Sequence, residues 1–220
     1  MSDPLIVIPT APERSRFLAH APRGIADVEL CGFGIAAAAA RTALLLARRR
    51  PSRVILAGIA GRFGDSMALG EAALFERVAC HGIGVGSGDT FLPAEGMGWQ
   101  QWPGDPPDPG AAIGDSLALA DDPGASAAGA VPRRGLLLTG AAASADAVEA
   151  SRRQGMFPGA VAEDMEGFAV ALACRLAGVP CSIVRGISNT VGDRDTSRWR
   201  IDEALAAAAA IVARLLETPP

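Results

Sequence analysis

Short apolar runs of strand character alternate with alanine-rich stretches of helical character along most of the chain. This alternation constrains the fold more than any other feature, because a strand–helix–strand order favours an α/β fold with a largely parallel sheet. The 220 residues suffice for one well-packed domain and make two unlikely on size grounds. We therefore predict a single domain over 1–220, with a central mixed, largely parallel twisted β-sheet flanked by helices in a three-layer sandwich.

The individual elements are predicted from local patterns. Leu5–Ile8 has the pattern of a short buried strand that ends at Pro9 and Pro12. The segment 82–132 is rich in glycine and proline, which predicts loops, with one short helix at 111–120. The other predicted strands are 27–31, 53–57, 71–79, 134–139, 160–162 and 182–187, and the other predicted helices are 34–50, 145–154, 166–177 and 202–216.

Missing residue types exclude several classes of enzyme. The chain contains no lysine, which excludes Schiff-base chemistry, pyridoxal phosphate attachment and the lysine of a P-loop. It contains no tyrosine and only two histidines, His20 and His81, which we predict to be structural or solvent-exposed. Any acid–base chemistry must therefore use carboxylates, amides or a water molecule that an arginine positions.

Charge and cysteine spacing limit the partners. A net charge of −4 argues against a general nucleic-acid binder. The four cysteines show no paired spacing, so we expect buried thiols and no metal site. Free thiols in turn favour a cytoplasmic location, and we expect no cofactor. No apolar run reaches about 18 residues and the amino terminus lacks a signal-peptide pattern, so we expect no membrane association.

The stretch Gly32-Phe33-Gly34 lies between a predicted strand and a predicted helix, as a dinucleotide-binding loop would. A dinucleotide site also needs an acidic residue about 20 positions later, at the end of the next strand. The strand at 53–57 ends without one. The glycines more simply allow a helix to start close to the sheet, although close approach to another ligand remains open.

Two polar clusters interrupt the apolar pattern in the second half of the chain. Glu163-Asp164-Met165-Glu166 places three carboxylates directly before an apolar helix, where acids commonly serve as caps. Arg185-Gly186-Ile187-Ser188-Asn189 forms the end of a buried strand, and ligands of open α/β sheets bind at such strand ends. A glutamate in the first cluster could accept hydrogen bonds from the vicinal hydroxyls of a ribose.

Together these clusters resemble the nucleoside phosphorylase and nucleosidase superfamily, and the resemblance covers nearly the whole chain. Glu13 after the first strand, Gly32-Phe33-Gly34 and Gly58-Ile59-Ala60-Gly61 stand in that superfamily's order. Within it, three segments are most similar to the futalosine hydrolases, the nucleosidases of a menaquinone-biosynthesis pathway. These segments are 88–98, 163–170 and 186–195.

The resemblance implies a catalytic set. Glu13 is the expected general base on the attacking water, and Arg185 is expected to orient that water. Asn189 is expected to contact the purine N7. Adenine-specific relatives carry aspartate there, whereas an amide donor suits a 6-oxopurine such as hypoxanthine. The implied substrate is therefore a small-molecule nucleoside, futalosine, with water as the nucleophile.

The resemblance also implies substrate-binding residues. Glu166 is expected to bind the ribose hydroxyls, and Met165 to pack against the sugar face. Trp199 is expected to lie near the 5′ substituent, and Val148 to form a wall of the base pocket. Arg194 is a candidate for the carboxylate of futalosine's carboxyphenyl group. An equal alternative is that Asp193, Arg194 and Asp195 pair with one another.

Other functions stay open at this point. Ile59 occupies a position where relatives often carry a phosphate-holding serine or threonine, which favours hydrolysis over phosphorolysis. The alternatives are a methylthioadenosine/S-adenosylhomocysteine nucleosidase, a purine nucleoside phosphorylase, and an inactive nucleoside-binding relative. Relatives commonly form dimers or larger assemblies, so we expect a homo-oligomer in which the segment 82–132 is an interface or a flap.

Overall fold

A computed structural model describes residues 3–25, 27–105, 112–119 and 131–217. These parts of the chain contain ten β-strands and five α-helices. The strands are β1 (Leu5–Ile8), β2 (Val28–Leu30), β3 (Val54–Arg62), β4 (Ala72–His81), β5 (Gly84–Val85), β6 (Leu92–Pro93), β7 (Ser116–Ala118), β8 (Arg133–Gly140), β9 (Ala160–Asp164) and β10 (Cys181–Thr190). The helices are α1 (Ala11–His20), α2 (Gly34–Arg49), α3 (Ala147–Met156), α4 (Gly167–Leu176) and α5 (Ile201–Glu217).

The main sheet is mixed and largely parallel, as predicted. β1 pairs in parallel with β2 and β3, β3 with β10, and β8 with β4 and β9. Antiparallel pairs join β10 to β4, β3 to β9 and β4 to β7. The far end of β3 thus meets β9, so that β3, β10, β4, β8 and β9 form a closed circuit. The sequence pattern did not indicate this closure.

Helices cover both faces of the sheet, which explains why its strands are apolar throughout. All four residues of β1 are buried, and they alternate between two core clusters. Leu5 and Val7 join the cluster that includes residues of α2 and α4. Ile6 and Ile8 join the cluster that includes Phe17 of α1 and residues of α5. A strand buried on both faces favours continuous apolar sequence over alternation.

Helix α1 is the main element that the prediction missed. The prediction used Pro12 only as the end of a strand, but proline is tolerated in the first turn of a helix. Thr10 caps this helix, because its hydroxyl oxygen accepts the backbone N–H of Glu13 at 3.3 Å. The spacing Thr-x-x-Glu is that of a capping box and was the available signal.

The prediction for the glycine- and proline-rich segment needs one correction. Residues 116–118, within the predicted helix 111–120, form strand β7, which is antiparallel to β4. Pairing with an available sheet edge outweighs the helical propensity of this short stretch. Positions 111 and 120 lie outside the described residues. Earlier in the segment, β5 and β6 form a two-stranded sheet. None of the helices described is long and apolar enough to cross a membrane.

Candidate active site

A cavity of about 380 Å³ opens where α1, the end of β3, the end of β9 and the end of β10 converge. Its size falls in the range of small-molecule sites. Six of the eight predicted site residues line it, and the other two, Arg185 and Val148, do not. The six are Glu13, Met165, Glu166, Asn189, Arg194 and Trp199.

Glu13 reaches the cavity from the first turn of α1. Its Oε2 accepts a hydrogen bond from the Thr10 hydroxyl at 2.5 Å, and its Oε1 accepts one from the backbone N–H of Ile59 at 3.2 Å. These contacts join the helix cap to strand β3 and hold the carboxylate in one orientation. A fixed carboxylate at the wall of a cavity can receive a proton from a bound molecule.

Arg185 lies behind the cavity wall, at 0 % exposure. Its Nε and Nη2 donate to Asp164 Oδ2 at 3.0 and 2.6 Å, and Nη2 also donates to Glu166 Oε2 at 3.3 Å. Burial lowers the pKa of the guanidinium, but Asp164, Glu166 and Glu13 outweigh it and raise that pKa. Nη1 of Arg185 has no hydrogen-bond partner among the described residues.

Glu166 is held from two sides. Besides Arg185, the backbone N–H of Gly34 donates to Glu166 Oε1 at 2.9 Å, from the first residue of α2. Burial raises the pKa of Glu166 to about 7, although Arg185 opposes this shift. The Gly32-x-Gly34 turn, which resembled a dinucleotide loop, thus brings a helix start to a carboxylate of this chain. Gly32 has φ +92°, which favours glycine.

Asn189 has a fixed amide orientation. Ser188 Oγ donates to Asn189 Oδ1 at 2.8 Å, and Asn189 Nδ2 donates to the Thr190 carbonyl at 2.9 Å. Because a carbonyl can only accept, the NH2 group must face Thr190, and one of its two hydrogens is left for a ligand. The residue lies inside β10, where the register with β3 shifts between Ile187 and Asn189.

The loop after β10 corrects one alternative. The Asp193 and Asp195 carboxylates pair with Arg198 at 2.9 and 3.1 Å, not with Arg194. Arg194 instead lies over the ring of Trp199, 5.2 Å from its centroid. In the described parts of the chain no carboxylate pairs with Arg194. The loop is therefore shaped without the Arg194 charge, which remains at the cavity wall.

The prediction for Val148 is wrong about its position, because this side chain is 67 % exposed and does not line the cavity. Asp146 caps α3 by accepting the backbone N–H of Val148 at 2.9 Å, which places Val148 in the outer first turn. Ala143 lines the cavity from the preceding loop instead. The histidines lie elsewhere: His20 is exposed, and His81 packs edge-on against Phe91 and Phe157.

Several cavity residues were not predicted as site residues. Thr10, Arg16 and Phe33 line the wall, and Arg16 follows Glu13 by one helical turn. Glu163 lines it as well and accepts hydrogen bonds from Ser144 at 2.7 Å and from Arg153 at 2.9 Å. For Thr10 and Arg16 the unused signal was the capping box that starts α1.

Comparisons with known proteins identify the family of the chain. Residues 26–217 match the family model described as the phosphorylase superfamily. The chain therefore belongs to the phosphorylase superfamily. A futalosine hydrolase from Streptomyces coelicolor is 38 % identical over 194 residues, which are 86 % of this chain and 77 % of that protein. Within the superfamily, the chain thus belongs with the futalosine hydrolases.

Other relatives give the same placement. Futalosine hydrolases from Acidothermus cellulolyticus and Thermus thermophilus are 37 % and 35 % identical, over 82 % and 84 % of this chain and 70 % and 78 % of theirs. A methylthioadenosine/S-adenosylhomocysteine nucleosidase from Neisseria meningitidis, in complex with methylthio-immucillin-A, has a TM-score of 0.77. It is 19 % identical and covers 99 % of both chains, so it confirms the fold alone.

Proposed function

We propose that this protein is a futalosine hydrolase, which cleaves the N-glycosidic bond of futalosine with water and releases hypoxanthine and dehypoxanthine futalosine in menaquinone biosynthesis. The observation that carries the proposal is the meeting of Glu13, Glu166 and Asn189 in one cavity. One carboxylate, one buried carboxyl and one oriented amide supply a proton acceptor, a sugar ligand and a purine ligand.

Glu13 is the proposed general base. Bond cleavage develops positive charge on the ribosyl group, and water attacks the anomeric carbon. Hypoxanthine leaves with the electron pair of the C–N bond and takes up a proton from solvent. Glu13 accepts the proton of this water, and its two other hydrogen bonds keep Oε1 and Oε2 in place. The unpartnered Nη1 of Arg185 faces the same region, which supports the proposed role of Arg185 in water positioning.

Glu166 is the proposed ribose ligand, with Met165 beside it against the sugar. An ionised carboxylate accepts both vicinal hydroxyls, whereas the neutral acid accepts fewer and must place its own proton. Val148 was expected in the base pocket, but its exposure excludes it from this proposal. Trp199 and Arg194 lie at the cavity wall, where they are available to a 5′ substituent.

The Glu166 carboxyl predicts a pH dependence. Because its pKa is raised to about 7, it is protonated at lower pH, so kcat/KM should rise with pH through about 7. Between pH 4.5, the ordinary pKa of a glutamate, and about pH 7, the folded state holds a proton that the unfolded state has lost. The free energy of unfolding should therefore fall as the pH rises through that window. Kinetics and urea unfolding across this range test both statements.

Glu166→Gln is the matched variant for that pH dependence. It should lower kcat/KM at least about tenfold, which corresponds to about 1.4 kcal/mol of transition-state stabilisation. It should also remove the rise through neutral pH, because glutamine does not titrate. A variant that kept the wild-type pH profile would show that another group titrates, and an unchanged kcat/KM would show that the ribose assignment is wrong.

Asn189 is proposed to select hypoxanthine. Its free amide hydrogen suits an acceptor on the purine, and Asn189→Asp removes that donor while it places a carboxylate oxygen against the Thr190 carbonyl. We expect the ratio of kcat/KM for futalosine over methylthioadenosine to fall about tenfold to a hundredfold, the range for one unsatisfied polar group. An unchanged ratio would place the purine contact elsewhere.

Water is the proposed nucleophile, because Ile59 offers no side-chain hydrogen bond at the cavity wall. The deciding experiment measures hypoxanthine release from futalosine in buffer with and without phosphate. Equal release supports hydrolysis, and release only with phosphate supports a phosphorylase. Methylthioadenosine in the same assay tests the adenine-nucleosidase alternative, and no release from either substrate supports an inactive binding protein.

We also propose a cytoplasmic homo-oligomer. The four cysteines are buried and free, which suits a reducing compartment. Exposed apolar side chains of the segment after β4, among them Val85 and Trp99, suit a subunit interface.

A further inference from the structure

Charge is distributed unevenly along the cavity. The acidic residues that line it are Glu13, Glu163, Asp164 and Glu166. The arginines that line it, among the residues described, are Arg16 and Arg194, and both are exposed side chains at its mouth. Buried Arg153 and Arg185 already pair with Glu163, Asp164 and Glu166 from behind the wall. The exposed cations at the mouth are therefore the ones that attract an anionic group of a ligand. The cavity therefore suits a ligand that carries its negative charge away from the reacting carbon.

Helix α1 carries both ends of this arrangement. Glu13 and Arg16 are three residues apart, so they share one face of the helix, with Arg16 about 4.5 Å further along the axis. When Glu13 faces the reacting carbon, Arg16 faces the outer part of the same bound molecule. The helix thus fixes the Glu13 carboxylate and the Arg16 guanidinium relative to each other.

The Arg16 guanidinium is only weakly engaged in the protein. Its nearest carboxylate is Asp202, with Nη1 and Oδ1 3.6 Å apart, which is an ion pair without hydrogen-bond geometry. The two side chains are 47 % and 70 % exposed, so little free energy is lost when Arg16 turns to another anion. Its planar donors match a carboxylate with two parallel hydrogen bonds.

Apolar and aromatic groups surround this cationic end. Phe33, Ile201 and Trp199 line the cavity together with Arg16, and Phe33 is 65 % exposed. A flat apolar group fits between such side chains, and a carboxylate on it can reach the guanidinium. We propose that Arg16 binds the carboxylate of an aryl acid attached at the 5′ side of the nucleoside, with Arg194 as its second cation. This inference rests on the proposed function and names its specificity residue.

The test compares two substrates that differ only in charge: futalosine and its methyl ester. Wild-type enzyme should favour the free acid, and Arg16→Met should lower kcat/KM for futalosine about tenfold while it changes the value for the ester less than about twofold. Methionine keeps an unbranched apolar stem, so packing is retained. Arg16→Lys should give an intermediate loss, because lysine keeps the charge without the planar donors.

Arg14→Met is the control, since Arg14 lies on the same helix and does not line the cavity. It should retain the wild-type preference for the acid. Equal losses of Arg16→Met on both substrates, or no loss on either, would overturn the assignment of Arg16 while leaving the nucleosidase intact. Absence of hypoxanthine release by the wild type from both substrates would overturn the proposed function and this inference together.

Discussion

Replacing Glu13 with glutamine should lower kcat about a hundredfold to ten-thousandfold, the range for loss of a general base. The substitution isolates proton transfer, because glutamine keeps the side-chain length and an oxygen that can accept from the Ile59 N–H or the Thr10 hydroxyl. It cannot take a proton from water. KM for futalosine should therefore change little, which separates this variant from variants of the sugar ligand.

Quenched and steady-state assays of hypoxanthine release measure the loss of kcat, and urea unfolding tests whether the variant is folded. Glu76→Gln is a suitable control, since Glu76 is an exposed residue of β4 outside the cavity. Wild-type kcat in Glu13→Gln would mean that the water is deprotonated elsewhere. A large rise in KM with unchanged kcat would instead make Glu13 a ligand of the substrate.

Local motifs of the sequence were enough to predict two groups of residues that line the cavity, while their roles remain predictions. Met165-Glu166 and Asn189 were predicted from short polar stretches, and both line the cavity. The strand pattern also predicted the mixed, largely parallel sheet. Strand lengths were less predictable: β10 continues to Thr190, so Asn189 lies within a strand and not after one. Buried partners on both sides favour extended backbone there even though the side chains are polar.

Long-range contacts account for most of what the sequence could not provide. The hydrogen bond from the Gly34 N–H to Glu166 joins residues 132 positions apart, and no local pattern contains it. The same holds for Arg185. It was predicted to orient water, and the sequence did not indicate that its side chain is buried against Asp164 and Glu166. Val148 was placed wrongly because the sequence does not show whether its side chain lies on the cavity side or the solvent side of α3.

Gly58→Ala should damage the site, because a methyl group at this position would displace the Arg185 guanidinium behind the cavity wall. A Cβ at this position would overlap Arg185 Nη1 and would lie 3.0 Å from Glu13 Oε1 and 3.2 Å from Pro9 Cδ. The tip of an arginine can often move aside at small cost, but this guanidinium is fully buried and bound by two carboxylates. The added methyl group must therefore break part of that ion-pair network or displace the Glu13 carboxylate from its position.

We expect kcat/KM to fall about a hundredfold, since small displacements of positioned groups cost that much. The free energy of unfolding should fall by about 1 to 3 kcal/mol through overpacking. Gly155→Ala is the matched control: Gly155 lies in α3, and a Cβ there meets nothing within 4 Å. In that variant activity should be unchanged and stability equal or higher, because alanine favours the helix. If Gly58→Ala behaved like Gly155→Ala, Arg185 would not need its present position, and its proposed role beside the attacking water would have to be abandoned.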